Sequence, residues 1–138
     1  MLLTIRVLLS FVLTPGSNPD AAVINSTVVN QLCYQYRYDG RKRLVQKRPA
    51  GVDDWTDLFY NQLDQLVFSQ DVLERGLTQR SFVKYDSLGR VIMTGLALNS
   101  TESPSLIQNV IDNWPENWEY RDRGGFHGYS NRSVPSNV

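Results

Sequence analysis

The sequence is poor in the residues that carry most protein chemistry. It has one cysteine, Cys33, and one histidine, His127. An intramolecular disulfide is therefore excluded, and one His with one Cys cannot complete a zinc site unless carboxylates supply the other ligands. Nor is there an excess of charge of either sign. Fourteen Lys plus Arg stand against fourteen Asp plus Glu, so no long-range field draws the chain to nucleic acid or to an anionic membrane. Long apolar runs are missing as well. The stretch from Val7 to Leu13, interrupted by Ser10, is far too short to span a bilayer. This segment reads either as a weak signal peptide, with Arg6 ahead of it and Ala21-Ala22 as a cleavage site, or as an apolar strand ending at Pro15-Gly16.

Aromatic and β-branched residues are plentiful. Seven Tyr, five Phe and three Trp, with many Val and Ile, suit a pleated, half-buried surface. In 138 residues they fit a single unit. Ala21 to Val29 is β-branched and reads as a strand. From Tyr34 the pattern sharpens: Tyr34, Tyr36 and Tyr38 alternate with Gln35, Arg37 and Asp39. At a period of two this predicts a strand with its rings on a buried face and its polar groups on the other.

Three segments align without a gap. They are Tyr38-Asp-Gly-Arg-Lys-Arg-Leu-Val45, Tyr60-Asn-Gln-Leu-Asp-Gln-Leu-Val67 and Tyr85-Asp-Ser-Leu-Gly-Arg-Val-Ile92, with their tyrosines 22 and 25 residues apart. Repeats of that length stack as successive supersecondary units. After each Tyr comes Asp39, Asn61 or Asp86, whose short side chain can accept a backbone N–H two residues on and start a turn. Four places after the Tyr stand Lys42, Asp64 and Gly89. Positive φ there would suit Gly89, be tolerated by Asp64 and strain Lys42, so the first turn is expected to rely on Gly40 instead.

Arg48-Pro-Ala-Gly51 and Asp71 to Gly76 read as exposed loops between hairpins. Ser103 before Pro104 is a helix start, and Leu106, Ile107, Val110, Ile111 and Trp114 share one helical face. One short helix near 103–113 is predicted, packing Leu106, Val110 and Ile111 inward. From Arg121 onward the sequence lacks any period and reads as loop, ordered only if something packs over it. The expected fold class is mainly β: consecutive antiparallel hairpins, a segment of a β-meander or shell, with that one helix. Three parts follow: apolar strands or a signal-like segment over 1–31, repeats over 32–98, and a helix with an irregular tail over 99–138.

Tyr36-Arg37-Tyr38-Asp39 with Arg43-Leu44, and Tyr85-Asp86-Ser87-Leu88-Gly89-Arg90, resemble the tyrosine-aspartate repeat of Rhs/YD-repeat proteins, roughly Tyr-x-Tyr-Asp-x-x-Gly-Arg-Leu. The stretch from Leu32 to Gly95 is similar to the version found in large Bacteroidetes surface or secreted proteins. Tyr36, Tyr38, Asp39, Arg43, Tyr60, Asn61, Tyr85, Asp86, Gly89 and Arg90 are the repeat-defining positions. The resemblance implies hairpins wound into a hollow β-shell that encloses a variable toxin or serves cell contact. It implies a scaffold role, no cofactor, a secreted or surface location, and as partners further repeats of the same or a longer chain, an encapsulated toxin domain or a cell-surface protein. Neither the Asp-Pro-x-Gly type self-cleavage motif nor a toxin sequence is present. Because three repeats lack an evident cap, the chain is expected to be a piece of a longer array. A stand-alone glycan- or protein-binding β module is the alternative, and an enzyme comes a distant third.

Other residues carry weaker readings. Asp53, Asp54, Asp57 and Asp64 fit no calcium loop and read as a solvated face. Cys33 reads as a small buried hydrophobe. His127 reads as a loop residue without the partners that general-base catalysis needs. Asn25, Asn99 and Asn131 open glycosylation-type triplets.

Overall fold

A computed structural model describes residues 7–20, 23, 25–98 and 101–136. The signal-like start at Arg6, the small pair Ala21-Ala22 and Asn99 lie outside the described residues. The chain forms two compact units, residues 1–56 and 57–138. It is mainly β, and every strand pairing described is antiparallel.

In the N-terminal unit, β1 (Phe11–Val12) pairs with β2 (Tyr34–Tyr38), which pairs with β3 (Leu44–Arg48). Between β1 and β2 lies a helix, α1 (Ser26–Leu32), where the β-branched run predicted a strand. The Asn25 side chain decides this locally, because it accepts the Val28 N–H and caps the helix start. The β2 pattern is also corrected. Gln35 is buried while Tyr34 is 42% exposed, and Tyr36 and Tyr38 are half-buried. The Gln35 amide donates to Asn30 Oδ1 and to the Val29 carbonyl of α1, which offsets the cost of burying it. Cys33 is fully buried as a free thiol.

The C-terminal unit contains β4 (Thr56–Tyr60), β5 (Leu66–Gln70), β6 (Arg80–Tyr85) and β7 (Val91–Ala97), each paired with its neighbour in sequence. Helix α2 (Val72–Gly76) occupies a segment expected to be loop. Its start is a reciprocal capping box, in which Asp71 accepts from the Glu74 N–H and Glu74 accepts from the Asp71 N–H. Helix α3 (Pro104–Asp112) begins at the Ser103 cap as the sequence predicts. Of the three residues predicted to pack inward, one does so. Ile111 is buried and Ile107 packs beside it, whereas Leu106 and Val110 are 49% and 40% exposed.

Phe59, Val67, Phe68, Phe82 and Ile111 form the core, with Met93, Ala97, Ile107 and Val134 against it. Opposite Phe82 in the register stands Gly95, where an added Cβ would lie 2.7 Å from the Phe82 ring. Only a residue without a side chain admits that ring. β4 and β6 turn Asp57, Phe59, Arg80, Phe82 and Lys84 inward and leave Tyr60 and Tyr85 half-buried on the other face. The expectation of a solvated face therefore fails for Asp57, which is 4% exposed and paired with Arg75 at 2.7 Å.

Candidate functional site

The feature the fold builds with most care is one turn, made three times. In each hairpin the residue after the repeat tyrosine makes the same bonds. Asp39 Oδ1 accepts from the Arg41 and Arg43 N–H groups, each at 2.9 Å. Asn61 Oδ1 accepts from Leu63 and Gln65, each at 3.0 Å. Asp86 Oδ1 accepts from Leu88 at 2.9 Å and Arg90 at 3.0 Å. The backbone N–H of Asp39, Asn61 or Asp86 donates to the carbonyl of Arg43, Gln65 or Arg90, and its carbonyl accepts from the N–H of Lys42, Asp64 or Gly89. The bend thus satisfies its own backbone groups within five residues.

The last of these donors, four places after the tyrosine, has left-handed backbone in all three turns. φ is +66° at Lys42, +60° at Asp64 and +76° at Gly89. The first turn therefore does not rely on Gly40, and Lys42 accepts the strain because the flanking bonds over-determine its position. Since left-handed backbone costs an ordinary side chain about 1 to 2 kcal/mol, Lys42→Gly is expected to stabilise the protein by up to about 1 kcal/mol after glycine's extra chain entropy is deducted. Urea unfolding of the two proteins measures it.

A β-bulge precedes each turn, between Arg37 and Tyr38, Phe59 and Tyr60, and Lys84 and Tyr85. It sets Tyr38 opposite Leu44, Tyr60 opposite Leu66 and Tyr85 opposite Val91. The turn is then closed by a side-chain pair. Arg43 Nε donates to Asp39 Oδ2 at 2.7 Å and Arg90 Nε to Asp86 Oδ2 at 2.6 Å. In the middle repeat Asn61 Nδ2 donates to Gln65 Oε1 at 2.8 Å, a neutral pair in the place of the ionic one. Asn61 and Gln65, which stand where the neighbouring repeats have Asp and Arg, thus compensate each other. The Arg90 guanidinium holds the Asp86 carboxyl below the usual carboxylate range, helped by the Arg90 and Leu88 N–H groups. Asp86→Asn combined with Arg90→Gln is expected to keep the melting temperature near that of the parent, while Asp86→Ala lowers it. Thermal unfolding followed by circular dichroism checks both.

Two of the repeat tyrosines tie their strand to the segment paired before it. Tyr38 donates its hydroxyl to the Leu9 carbonyl at 3.0 Å, and Tyr85 donates to the Leu66 carbonyl at 2.8 Å. Burial, then the neighbouring Tyr60, raises the Tyr85 pKa. Tyr60 uses its backbone: its N–H donates to Gln108 Oε1 and its carbonyl accepts from Gln108 Nε2, so one amide side chain of α3 imitates a neighbouring strand. Tyr36 donates its backbone N–H to the Ser10 carbonyl.

The segment that follows α3 binds over the turns of the C-terminal unit, in a way the irregular sequence does not announce. The Glu119 N–H donates to the Tyr85 carbonyl, and Asn61 Nδ2 reaches the Asn117 carbonyl. Beneath it lies an ion pair, Lys84 Nζ to Glu119 Oε1 at 2.9 Å, with both side chains at most 1% exposed. Lys84 also donates to Asn131 Oδ1 and the Ser133 carbonyl, while Glu119 accepts from the Ser130 and Ser133 hydroxyls and the Arg132 and Ser133 N–H groups. Burial works to raise the Glu119 pKa, and these bonds, led by those from Lys84 and Ser133, override it and hold the carboxyl at about 2. The nearest sequence signal would have been Lys84 itself, a cation at the inward period of an aromatic strand.

For chemistry the rest offers little. A cleft of about 360 Å³ is lined by Arg75, Arg80, Thr78, Thr101, Glu102 and Ser103 among others, but its guanidinium groups pair with Asp57 and Glu102. His127 sits exposed in a tight turn with φ +55°. Asn25 and Asn131 spend their side chains on the α1 cap and on Lys84. Among the described residues no group of His, Cys, Asp and Glu could hold a metal ion, and no helix is long and apolar enough to cross a membrane. Compared with known proteins, the chain matches no protein-family model, no curated protein and no solved structure.

Proposed function

We propose that this chain is a structural β-repeat segment of the Rhs/YD kind, the scaffold or shell part of a secreted or cell-surface protein of a polymorphic toxin system, with no catalysis of its own. One observation carries the reading. The positions that resemble the tyrosine-aspartate motif are those that build the same bulge, the same side-chain-closed turn and the same left-handed residue in three successive hairpins. Such repetition at chemically different residues serves architecture. A catalytic site needs one constellation, placed once. The hydroxyls of Tyr38 and Tyr85 support the same reading, because each bonds back to the segment paired before its strand at an equivalent place. Partners of this segment are then further repeats, and an enclosed or surface-bound protein on the faces that the array creates.

A repeat can be duplicated where a unique site cannot. Inserting a second copy of residues 61–85 directly after Tyr85 keeps Tyr60 and both copies of Tyr85 in phase. The expected product folds cooperatively, with more β signal by circular dichroism and a larger urea m-value, since m scales with the surface exposed on unfolding. The same 25 residues inserted out of phase, after Phe68, should unfold the chain. If the in-phase duplication unfolds it equally, the repeat reading is wrong.

A further inference from the structure

We infer that β7 of one copy of this chain docks on β2 of a second copy by displacing β1, so that the protein associates head to tail. The inference rests on the repeat reading above and begins from register. β1 meets β2 as β5 meets β6: Phe11 lies opposite Gln35 and Phe68 opposite Phe82, each three residues before the repeat tyrosine. Val12 and Ser69 occupy the next place, opposite Tyr34 and Ser81. The tyrosine hydroxyls land on Leu9 and Leu66, each two residues before the first partner. β1 therefore fills the place of a returning hairpin strand.

It fills that place poorly. β1 is two residues long against five in β5, although each makes two register pairs with the strand that follows it. Phe11 and Leu9 are 52% and 57% exposed, whereas Phe68 is 6% exposed. β7 is a returning strand by its own bulge, and it leaves Val91 and Leu96 more than half exposed, with Leu98 just past its end exposed as well. Placed on β2 in the shared register, β7 sets Met93 opposite Gln35 and offers the Val91 carbonyl to Tyr38. An edge strand with apolar side chains pairs readily with another chain. The contact is between unlike surfaces, so it is heterologous and not the self-complementary contact of a two-fold dimer.

Two variants of the full chain test this by sedimentation. Val12→Cys with Tyr34→Cys, at register partners, locks β1 onto β2 by a disulfide and closes the acceptor edge. Thr94→Lys with Leu96→Lys, both exposed, charges the donor edge. The parent should associate with rising concentration, each variant alone should be monomeric, and an equimolar mixture should give a one-to-one pair. Reducing the disulfide should restore self-association of the first variant. A parent that stays monomeric, a locked variant that still self-associates, or a mixture without pairs overturns the proposal. If the in-phase duplication folds while the parent stays monomeric, the docking inference fails alone and the repeat reading stands.

Discussion

Lys84→Met is expected to cost about 3 to 5 kcal/mol, the usual penalty for removing one partner of a buried ion pair. The reason is the carboxylate left behind. Glu119 is fully buried and loses its only cation within bonding distance among the described contacts, while its hydrogen bonds from Ser130, Arg132 and Ser133 continue to hold it in place. Adding Glu119→Gln to Lys84→Met should recover part of the loss, because the amide oxygen still accepts from the tail and carries no charge. Urea unfolding at neutral pH measures all three proteins, and the non-additivity isolates the pair.

The same pair sets the acid response. In the folded protein the Glu119 carboxyl titrates at about 2, below its ordinary 4.5. Its folded pKa is depressed, so the stabilisation is fully present above about 4.5 and is lost as the pH falls towards 2. At about 1.4 kcal/mol per unit the amount is on the order of 3 kcal/mol. In Lys84→Met the buried carboxylate has no cation and gains by protonation, so the acid loss should flatten or reverse. An acid limb identical to that of the parent would show that Lys84 does not hold Glu119.

The second large effect separates two neighbours on α3. Ile111→Asp is expected to cost about 3 to 5 kcal/mol, since it combines the loss of a buried aliphatic side chain with a charge that finds no partner in the core. Ile111 is 2% exposed and packs in the cluster of Phe59, Val67, Phe68 and Phe82. Val110→Asp, one residue away and 40% exposed, should change stability by no more than about 0.5 kcal/mol. Hydrogen exchange of the β6 amides should rise with the first variant and not with the second. Equal effects would mean that α3 docks by the face that Leu106 and Val110 share.

These neighbours also show where reading the chain stops. The hairpin turns are legible because their physics is local: an Asp or Asn oxygen, two N–H groups and one left-handed residue lie within five positions, and the same spacing recurs at Tyr38, Tyr60 and Tyr85. The α3 start is legible for the same reason, whereas the β-branched run after Asn25 and the charged segment after Asp71 read as strand and loop, and their side-chain caps start helices instead. Which face of each element is buried is not legible. Five apolar residues share a stripe on α3, and only the place of Phe59, Phe68 and Phe82 beneath it selects Ile107 and Ile111. Likewise the alternation of β2, β4 and β6 marks two faces without saying which is inward. Asp57, Arg80 and Lys84 lie on the inward face because Arg75, Glu102 and Glu119, distant in sequence, supply opposite charges there. Turns and helix starts have their partners a few residues away, so the order of residues along the chain is enough to specify them. The buried charges take partners from 18 to 35 residues away, and their place is settled when the strands and the tail assemble around them.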